Sequence, residues 1–306
     1  MPLIDRFLPR LLIASMLVVF CVGRQSGANP PPSNIPDEYK INGFAVGCQA
    51  YTFRLFTVME AIEKTSQAGG KVIEFYPGQK LRADQPAVTF SHTSPDAVID
   101  QVKAQLKKFN IKAVNYGVVS GGGNTPQARQ EDWKKIFAFA KKMELVCITS
   151  EPNVADMDFI ESLVKENNIR FAIHDHPRQP WNPSYEFWDP SYVLSLVKNR
   201  DSRMGSCADI GHWVRSGVKP LEALKILEGR VMSSHMKDLT EFGNPNAYDI
   251  PWGTGISGIG ELLDELKRQG FDGNISIEYE HNEQNSLPEV TKCVDFVKSY
   301  KPGSSK

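Results

Sequence analysis

From Phe44 onward, short and nearly continuous apolar runs alternate with longer stretches in which apolar residues recur every three or four positions. The runs are Phe44 to Ala50, Val72 to Tyr76, Ile111 to Val119, Leu145 to Thr149, Arg170 to Ile173, Met204 to Ala208, Val231 to Ser234 and Asn274 to Ile277. Runs without in–out alternation suit strands of a parallel sheet that is covered on its outer face. The stretches between them carry helix signals. Ser94-Pro95, Thr125-Pro126 and Asp189-Pro190 each place a capping residue before a first-turn proline, and Gly69, Gly229 and Gly270 stand where helices should stop. Leu221, Leu224 and Leu227 share one helix face, as do Leu262, Leu263 and Leu266, and Val290, Val294 and Val297. Strand and helix repeating eight times in roughly 260 residues predicts an α/β protein, a single (β/α)8 TIM barrel over residues 41–301. No GxGxxG or Walker sequence follows the first strand, which disfavours a nucleotide-binding fold.

The stretch before residue 41 reads as two segments. Arg6 and Arg10 precede the apolar run Leu11 to Val22, which is short of the roughly 20 residues that span a bilayer, and Ser26-Gly27-Ala28 offers a small-residue cleavage site. Residues 1–28 are therefore expected to be a signal peptide, residues 29–40 an exposed Pro-rich leader, and the protein exported, in a periplasmic setting. Cys21 is an alternative lipid-modified end, disfavoured by Phe20 before it, and an uncleaved leader is the remaining way to a membrane.

Removing residues 1–28 takes away Arg6, Arg10, Arg24 and Asp5, so 32 basic residues remain against 35 acidic ones, a net charge of −3. That balance gives no basic field to hold nucleic acid or an acidic membrane. Cys48, Cys147, Cys207 and Cys293 contain no CxxC pair, and three lie in strand runs, so buried free thiols are expected rather than a disulfide framework or a zinc knuckle.

Candidate chemistry gathers at strand ends. Of six histidines, His174 and His176 end the fifth run, His212 follows the sixth and His235 ends the seventh. Glu74, Glu151, Asp209, Glu278 and Glu280 occupy the equivalent places on the second, fourth, sixth and eighth runs. In a closed barrel these positions converge on one mouth. Imidazole and carboxylate together suit a divalent metal such as Mn, Zn, Co or Fe. Period-two alternation points His174 and His176 the same way, and likewise His235 with Lys237 and Glu278 with Glu280. The earlier member of each pair should lie deeper.

The ordered motifs SEPN (150–153), HDHP (174–177), CADIGH (207–212), HMKD (235–238), PWGTG (251–255) and IEYE (277–280) resemble those of the xylose isomerase-like TIM-barrel superfamily, nearest to its sugar phosphate isomerase/epimerase-type proteins. The resemblance implies metal ligation by His174, Asp209, His235 and Glu278, with His174 standing where a glutamate is usual. It implies that His212, in the D-x-x-H element, faces the substrate or a second metal. One glutamate base of the ketose epimerases is thereby missing, and Glu151 or His176 is left to replace it or to act as a ligand.

The expected function is a metal-dependent sugar isomerase or epimerase acting by proton abstraction next to a carbonyl. Glu151, His176 or Glu278 is the base, and Lys237 stabilises an oxyanion or protonates a leaving group. Tyr51, Trp181, Trp213 and Trp252 are candidate sugar-stacking residues, with Trp252 foremost, while Trp133 and Trp188 pack helices. Export favours an unphosphorylated carbohydrate. The rivals are a keto-glycoside lyase or dehydratase using the same site, and a sugar-binding protein without catalysis. The superfamily's three-zinc DNA-repair endonucleases need further early-strand histidines, where this chain has Glu74 and Tyr116.

Overall fold

The computed structural model describes residues 30–303. The predicted signal peptide, with Cys21, lies outside the described residues. Each of the eight predicted runs forms a strand of one closed parallel barrel. These strands are β1 (Ala45–Gln49), β2 (Val72–Phe75), β5 (Lys112–Val119), β6 (Cys147–Ser150), β7 (Arg170–His174), β8 (Met204–Asp209), β9 (Val231–Met236) and β12 (Asn274–Ile277). They close in the order β1-β12-β9-β8-β7-β6-β5-β2. Two further ladders lie in the strand-to-helix loops. One is the hairpin β3 (Gln79–Arg82) with β4 (Gln85–Phe90), and the other pairs β10 (Asp238–Leu239) with β11 (Asp249–Ile250). The hairpin falls in the Tyr76 to Thr93 segment, where its mainly polar strands gave no apolar run. Leu81 and Phe90 are its buried apolar anchors, and the buried Gln79 donates to Phe53 O and Phe56 O at 3.1 Å each.

The outer layer is α1 (Val58–Gln67), α2 (Asp96–Phe109), α3 (Pro126–Lys142), α4 (Met157–Asn167), α5 (Pro190–Val197), α6 (Ile210–Arg215), α7 (Pro220–Ile226), α8 (Ile259–Arg268) and α9 (Leu287–Ser299). Thr125 and Asp189 cap α3 and α5 through their side chains, as their sequence context predicts. Ser94 does not cap α2. Pro95 takes the cap position without a side-chain bond, and the Ser94 hydroxyl accepts the N–H of Ser91 instead. The predicted apolar faces of α7, α8 and α9 are buried. Cys48, Cys147, Cys207 and Cys293 are buried free thiols, and Trp133 packs edge-on against Phe171 beneath α3.

The leader is not an exposed strap over residues 30–36. Ile35 is buried with Ala45, Val72 and Val114 at the amino-terminal ends of the strands. The Ser33 amide and hydroxyl both bond to Asp272, at 2.6 Å each, and Arg170 donates to Pro31 O and to Asp272. The leader thus plugs the barrel floor, opposite the strand ends that carry the candidate chemistry. No helix among the described residues is long and apolar enough to cross a membrane.

Candidate metal centre and active site

Parallel register brings the strand-end residues together. Asp209 pairs with His235 across β8 and β9, and His235 pairs with Ser276 across β9 and β12, two residues short of Glu278. His174, Asp209, His235 and Glu278 are all buried. Their hydrogen bonds fix which atoms are left over. His174 Nδ1 lies 3.3 Å from Glu151 Oε1, which leaves Nε2 without a partner, 3.6 Å from Asp209 Oδ2. His235 Nε2 lies 3.0 Å from Glu74 Oε1, which leaves Nδ1 without a partner, 3.3 Å from Glu278 Oε2 and 3.7 Å from Asp209 Oδ2. Asp209 Oδ1 accepts the His212 N–H at 2.8 Å, capping α6, while Oδ2 is ion-paired with Lys237 Nζ at 3.1 Å. Each carboxylate that takes an imidazole N–H presents the opposite nitrogen as a lone pair, the arrangement of outer-sphere support for metal-bound histidine.

Buried polar atoms are ordinarily paired, and unpaired ones converging on a point mark a missing partner. Here the unpaired His174 Nε2 and His235 Nδ1 converge on Asp209 Oδ2 and Glu278 Oε2, a mixed N/O set that fits a divalent cation. His212 Nε2 also lies 3.6 Å from Asp209 Oδ2, and ligand-type atoms of His174, Asp209, His212 and Glu278 fall within 4.8 Å of one another. Two overlapping donor sets are therefore present, differing in His235 or His212, beside a further group of Glu151, His174 and His176. A polar column supports the site from inside the barrel. Glu74 Oε2 accepts Ser276 Oγ at 2.7 Å and Asn274 Nδ2 at 3.3 Å.

The charges are strongly shifted. Burial alone would raise the Asp209 carboxyl, but His212 and Lys237 beside it hold it well below the usual range. Burial would lower His174, but Asp209 and Glu151 outweigh it and lift the ring to about 10, so a cation binding at Nε2 would have to displace a proton. Glu151 is partly buried, which raises it, yet hydrogen bonds from His174 and His176 bring it down to about 2. Its Oε1 accepts from His174 Nδ1, His176 Nδ1 and, at 2.7 Å, the Tyr185 hydroxyl. A carboxylate so stabilised is a weak base, so this geometry makes Glu151 the orienting partner of two histidines. Lys237 is fully buried, with Nζ 3.1 Å from Asp209, 2.8 Å from Glu278 and 2.9 Å from Glu280. Three carboxylates surround its ammonium, which balances their charge. Gly211 permits this approach, since a Cβ there would sit 2.6 Å from Lys237 Cδ.

Above the cluster opens a cavity of about 320 Å³, lined by Gln49, Tyr51, Tyr76, Pro77, Gly117, Val118, His174, His176, His212, Glu278 and Glu280. The expected depth ordering holds for two of the three pairs: His174 is buried while His176 is 46% exposed, and Glu278 lies deeper than Glu280, whereas His235 and Lys237 are both fully buried. Tyr51 forms an aromatic wall with Tyr76, the rings edge-on at 5.2 Å. The other stacking candidates are not in the cavity. Trp213, next to His212 on α6, turns into the core, because neighbours on a helix face in different directions. Trp252 is likewise core, and Trp181 is 81% exposed, outside the cavity lining. Trp188 is half-buried under Arg178.

Sequence reasoning missed Tyr76, Tyr185, Arg215 and Asp249. Arg215 carried a usable signal, since it lies three residues after His212 on one helix and so shares its face. Its Nη1 lies 3.2 Å from His212 Nδ1 and its Nη2 3.5 Å from Asp249 Oδ2. Tyr185 sits in an irregular loop and Asp249 in the two-residue strand β11, and neither carried such a signal.

A closed (β/α)8 barrel whose strand ends gather two imidazoles and two carboxylates around unpaired buried atoms defines the class: a TIM barrel with a candidate divalent-metal site at its mouth. The chain belongs to the xylose isomerase-like TIM barrel family, whose model matches residues 62–299. An uncharacterized protein from Parabacteroides distasonis ATCC 8503 is 36% identical, covering 84% of this chain and 98% of that one, with a TM-score of 0.66. A sugar phosphate isomerase/epimerase from the same organism is 14% identical, covering 82% and 93%, with a TM-score of 0.58. A probable 3-DHS dehydratase involved in petrobactin synthesis from Bacillus anthracis is 12% identical, covering 83% and 98%, also with a TM-score of 0.58. No match is found among curated proteins.

Proposed function

We propose that this protein is a divalent-metal-dependent isomerase or epimerase of unphosphorylated sugars or keto-sugars that removes a proton next to a carbonyl. The observation that carries the reading is the convergence of two unpartnered buried imidazole nitrogens, His174 Nε2 and His235 Nδ1, on the carboxylates of Asp209 and Glu278 at the base of the cavity. These four residues would hold Mn, Zn, Co or Fe. Such a metal supplies Lewis acidity, polarising the carbonyl and offsetting the charge that develops on its oxygen. His176 is the base. Its Nδ1 is held by Glu151, so Nε2 offers its lone pair to the cavity, the orienting logic of a carboxylate–histidine pair. The C–H proton passes to Nε2 and the electron pair moves onto the carbonyl oxygen, giving an enediolate. Returning the proton to the neighbouring carbon on the same face, with the hydroxyl proton passing between the two oxygens, isomerises the sugar, whereas epimerisation would take its returning proton from a second donor on the opposite face. Tyr51 and Tyr76 stack on the apolar face of the ring.

Among the described residues the cavity lining includes no arginine or lysine, which supports a substrate without phosphate. The export signal expected in residues 1–28 favours the same substrate and an extracytoplasmic location. A second reading is elimination from a keto-glycoside. The ring of His212 stacks 5.2 Å from that of His176, so an acid group for a leaving oxygen stands beside the base. Metal analysis of the purified protein against Asp209→Asn and Glu278→Gln tests the site. The reading expects about one divalent ion in the parent and little in either variant, and equal content in all three contradicts it.

A further inference from the structure

Of the two overlapping donor sets, one includes His212 and the other does not, and Arg215 separates them. A guanidinium only donates hydrogen bonds. Arg215 Nη1, 3.2 Å from His212 Nδ1, therefore requires a lone pair on Nδ1, and the neutral ring must carry its proton on Nε2. A protonated Nε2 cannot bind a cation. It is a donor aimed at the cavity that His212 lines, with Asp209 Oδ2 3.6 Å away. Lys237 Nζ also lies near, 3.5 Å from Nε2, but its three carboxylate partners are closer at 2.8 to 3.1 Å, so it makes no competing claim on a lone pair there.

The guanidinium is itself held by the loop that follows β9. Arg215 Nε donates to Ala247 O at 3.0 Å, Nη2 faces Asp249 at 3.5 Å, and Nη1 lies 3.8 Å from Glu280. Its side chain is nearly buried, so little water competes for the bond to His212. The contrast with His235 is chemical. There a carboxylate accepts the distal N–H and frees the inner nitrogen as a ligand, whereas behind His212 a cation donates to the distal nitrogen and turns the inner one into a donor.

We infer that Arg215 is a positioning residue that fixes the Nε2–H form of His212, excluding it from the metal ligands and dedicating it to hydrogen bonding with a substrate oxygen. The inference rests on the proposed metal site, but the ring form is read without turnover. The loop after β9 thereby decides, through one arginine, whether the centre has four protein ligands or a fifth.

The test is long-range ¹⁵N–¹H NMR of histidine-labelled protein, with His212 assigned from the signals missing in His212→Gln. Spectra are recorded on the parent, Arg215→Met and Arg215→Lys, before and after one equivalent of Zn²⁺. In the parent, the expected pattern is an unprotonated Nδ1 and a protonated Nε2 that survive zinc, while the His174 and His235 signals shift. In Arg215→Met, Nδ1 moves toward the protonated range and Nε2 becomes zinc-sensitive. Arg215→Lys, which still presents a donor, retains most of the parental pattern. A parental His212 protonated on Nδ1, or parental Nε2 signals that respond to zinc as a ligand's do, overturns the inference. So does an Arg215→Met protein that is folded by its other histidine signals and keeps the parental form. If zinc shifts no histidine at all, the metal site fails while the ring assignment is still read from the zinc-free spectra.

Discussion

Replacing Glu74 by Gln probes the metal site from a residue that need not touch the ion. Glu74 is fully buried in β2, and its Oε1 takes the Nε2–H of His235 at 3.0 Å while Oε2 takes Ser276 Oγ at 2.7 Å and Asn274 Nδ2 at 3.3 Å. The isosteric amide has two orientations. With its oxygen toward His235 the tautomer survives, but the charge-assisted bond becomes a neutral one, and the amide N–H₂ meets the Asn274 donor. With its nitrogen toward His235 the ring must protonate Nδ1, which removes the lone pair facing Asp209 and Glu278. The milder outcome loses the difference between a charged and a neutral hydrogen bond, about 1 to 1.5 kcal/mol, or roughly tenfold in affinity. The harsher one removes a ligand, so the expected loss is roughly 10- to 100-fold. Competition between protein and a chromophoric chelator for Zn²⁺ or Mn²⁺ measures it, with metal-free thermal melts confirming that the variant folds. A folded Glu74→Gln protein that binds metal within about twofold of the parent refutes the ligand role of His235 Nδ1.

Three further outcomes follow from the same geometry. Tyr51→Ala removes half of the aromatic wall and should raise KM about tenfold, in line with roughly 1 to 1.5 kcal/mol for an aromatic contact, with little change in melting temperature. Trp252→Ala should instead cost about 3 to 5 kcal/mol of stability in denaturant titrations, because the ring is core rather than cavity wall. Ile35→Ala should cost about 2 to 3 kcal/mol if residues 30–36 plug the barrel floor, whereas an exposed leader predicts no change. Asp249 supplies a pH dependence. Burial raises its carboxyl from 3.8 to about 7, against the pull of Lys237 and Arg215, so between those values the folded state binds more protons than the unfolded one. This group's contribution to stability therefore falls as pH rises through that window, by up to about 4 kcal/mol. The stability of Asp249→Asn relative to the parent should grow over the same interval in melts run at several pH values.

The barrel was legible because its strands are buried on both faces, and such strands announce themselves as apolar runs. His174, Asp209, His235 and Glu278 were legible because each stands at the end of such a run, where alternation fixes the facing and closure brings the ends together. The hairpin β3–β4 escaped because its anchors are only two apolar side chains, Leu81 and Phe90, and the amide of Gln79, and the burial of Ser33 and Ile35 within an otherwise exposed leader escaped because their partners Asp272 and Val114 lie far along the chain. Trp252 and Trp213 show the limit of composition as a guide. An aromatic residue near the right strand end may be a platform or a piece of core, and only packing distinguishes the two. Which nitrogen of each histidine is free depends on Glu74, Glu151 and Arg215, three side chains whose partners on other elements no single segment reveals.

The central claim is metal-dependent proton removal by His176 next to a carbonyl. Its most direct test is deuterium incorporation from heavy water into a panel of keto-sugars and keto-glycosides, using metal-loaded parent, metal-stripped parent and His176→Asn. The account predicts deuterium at the carbon beside the carbonyl with the loaded parent, and at least about a 100-fold lower rate in the other two. A metal-loaded protein that binds these compounds yet exchanges no proton with any of them, or exchange undiminished in His176→Asn, contradicts it.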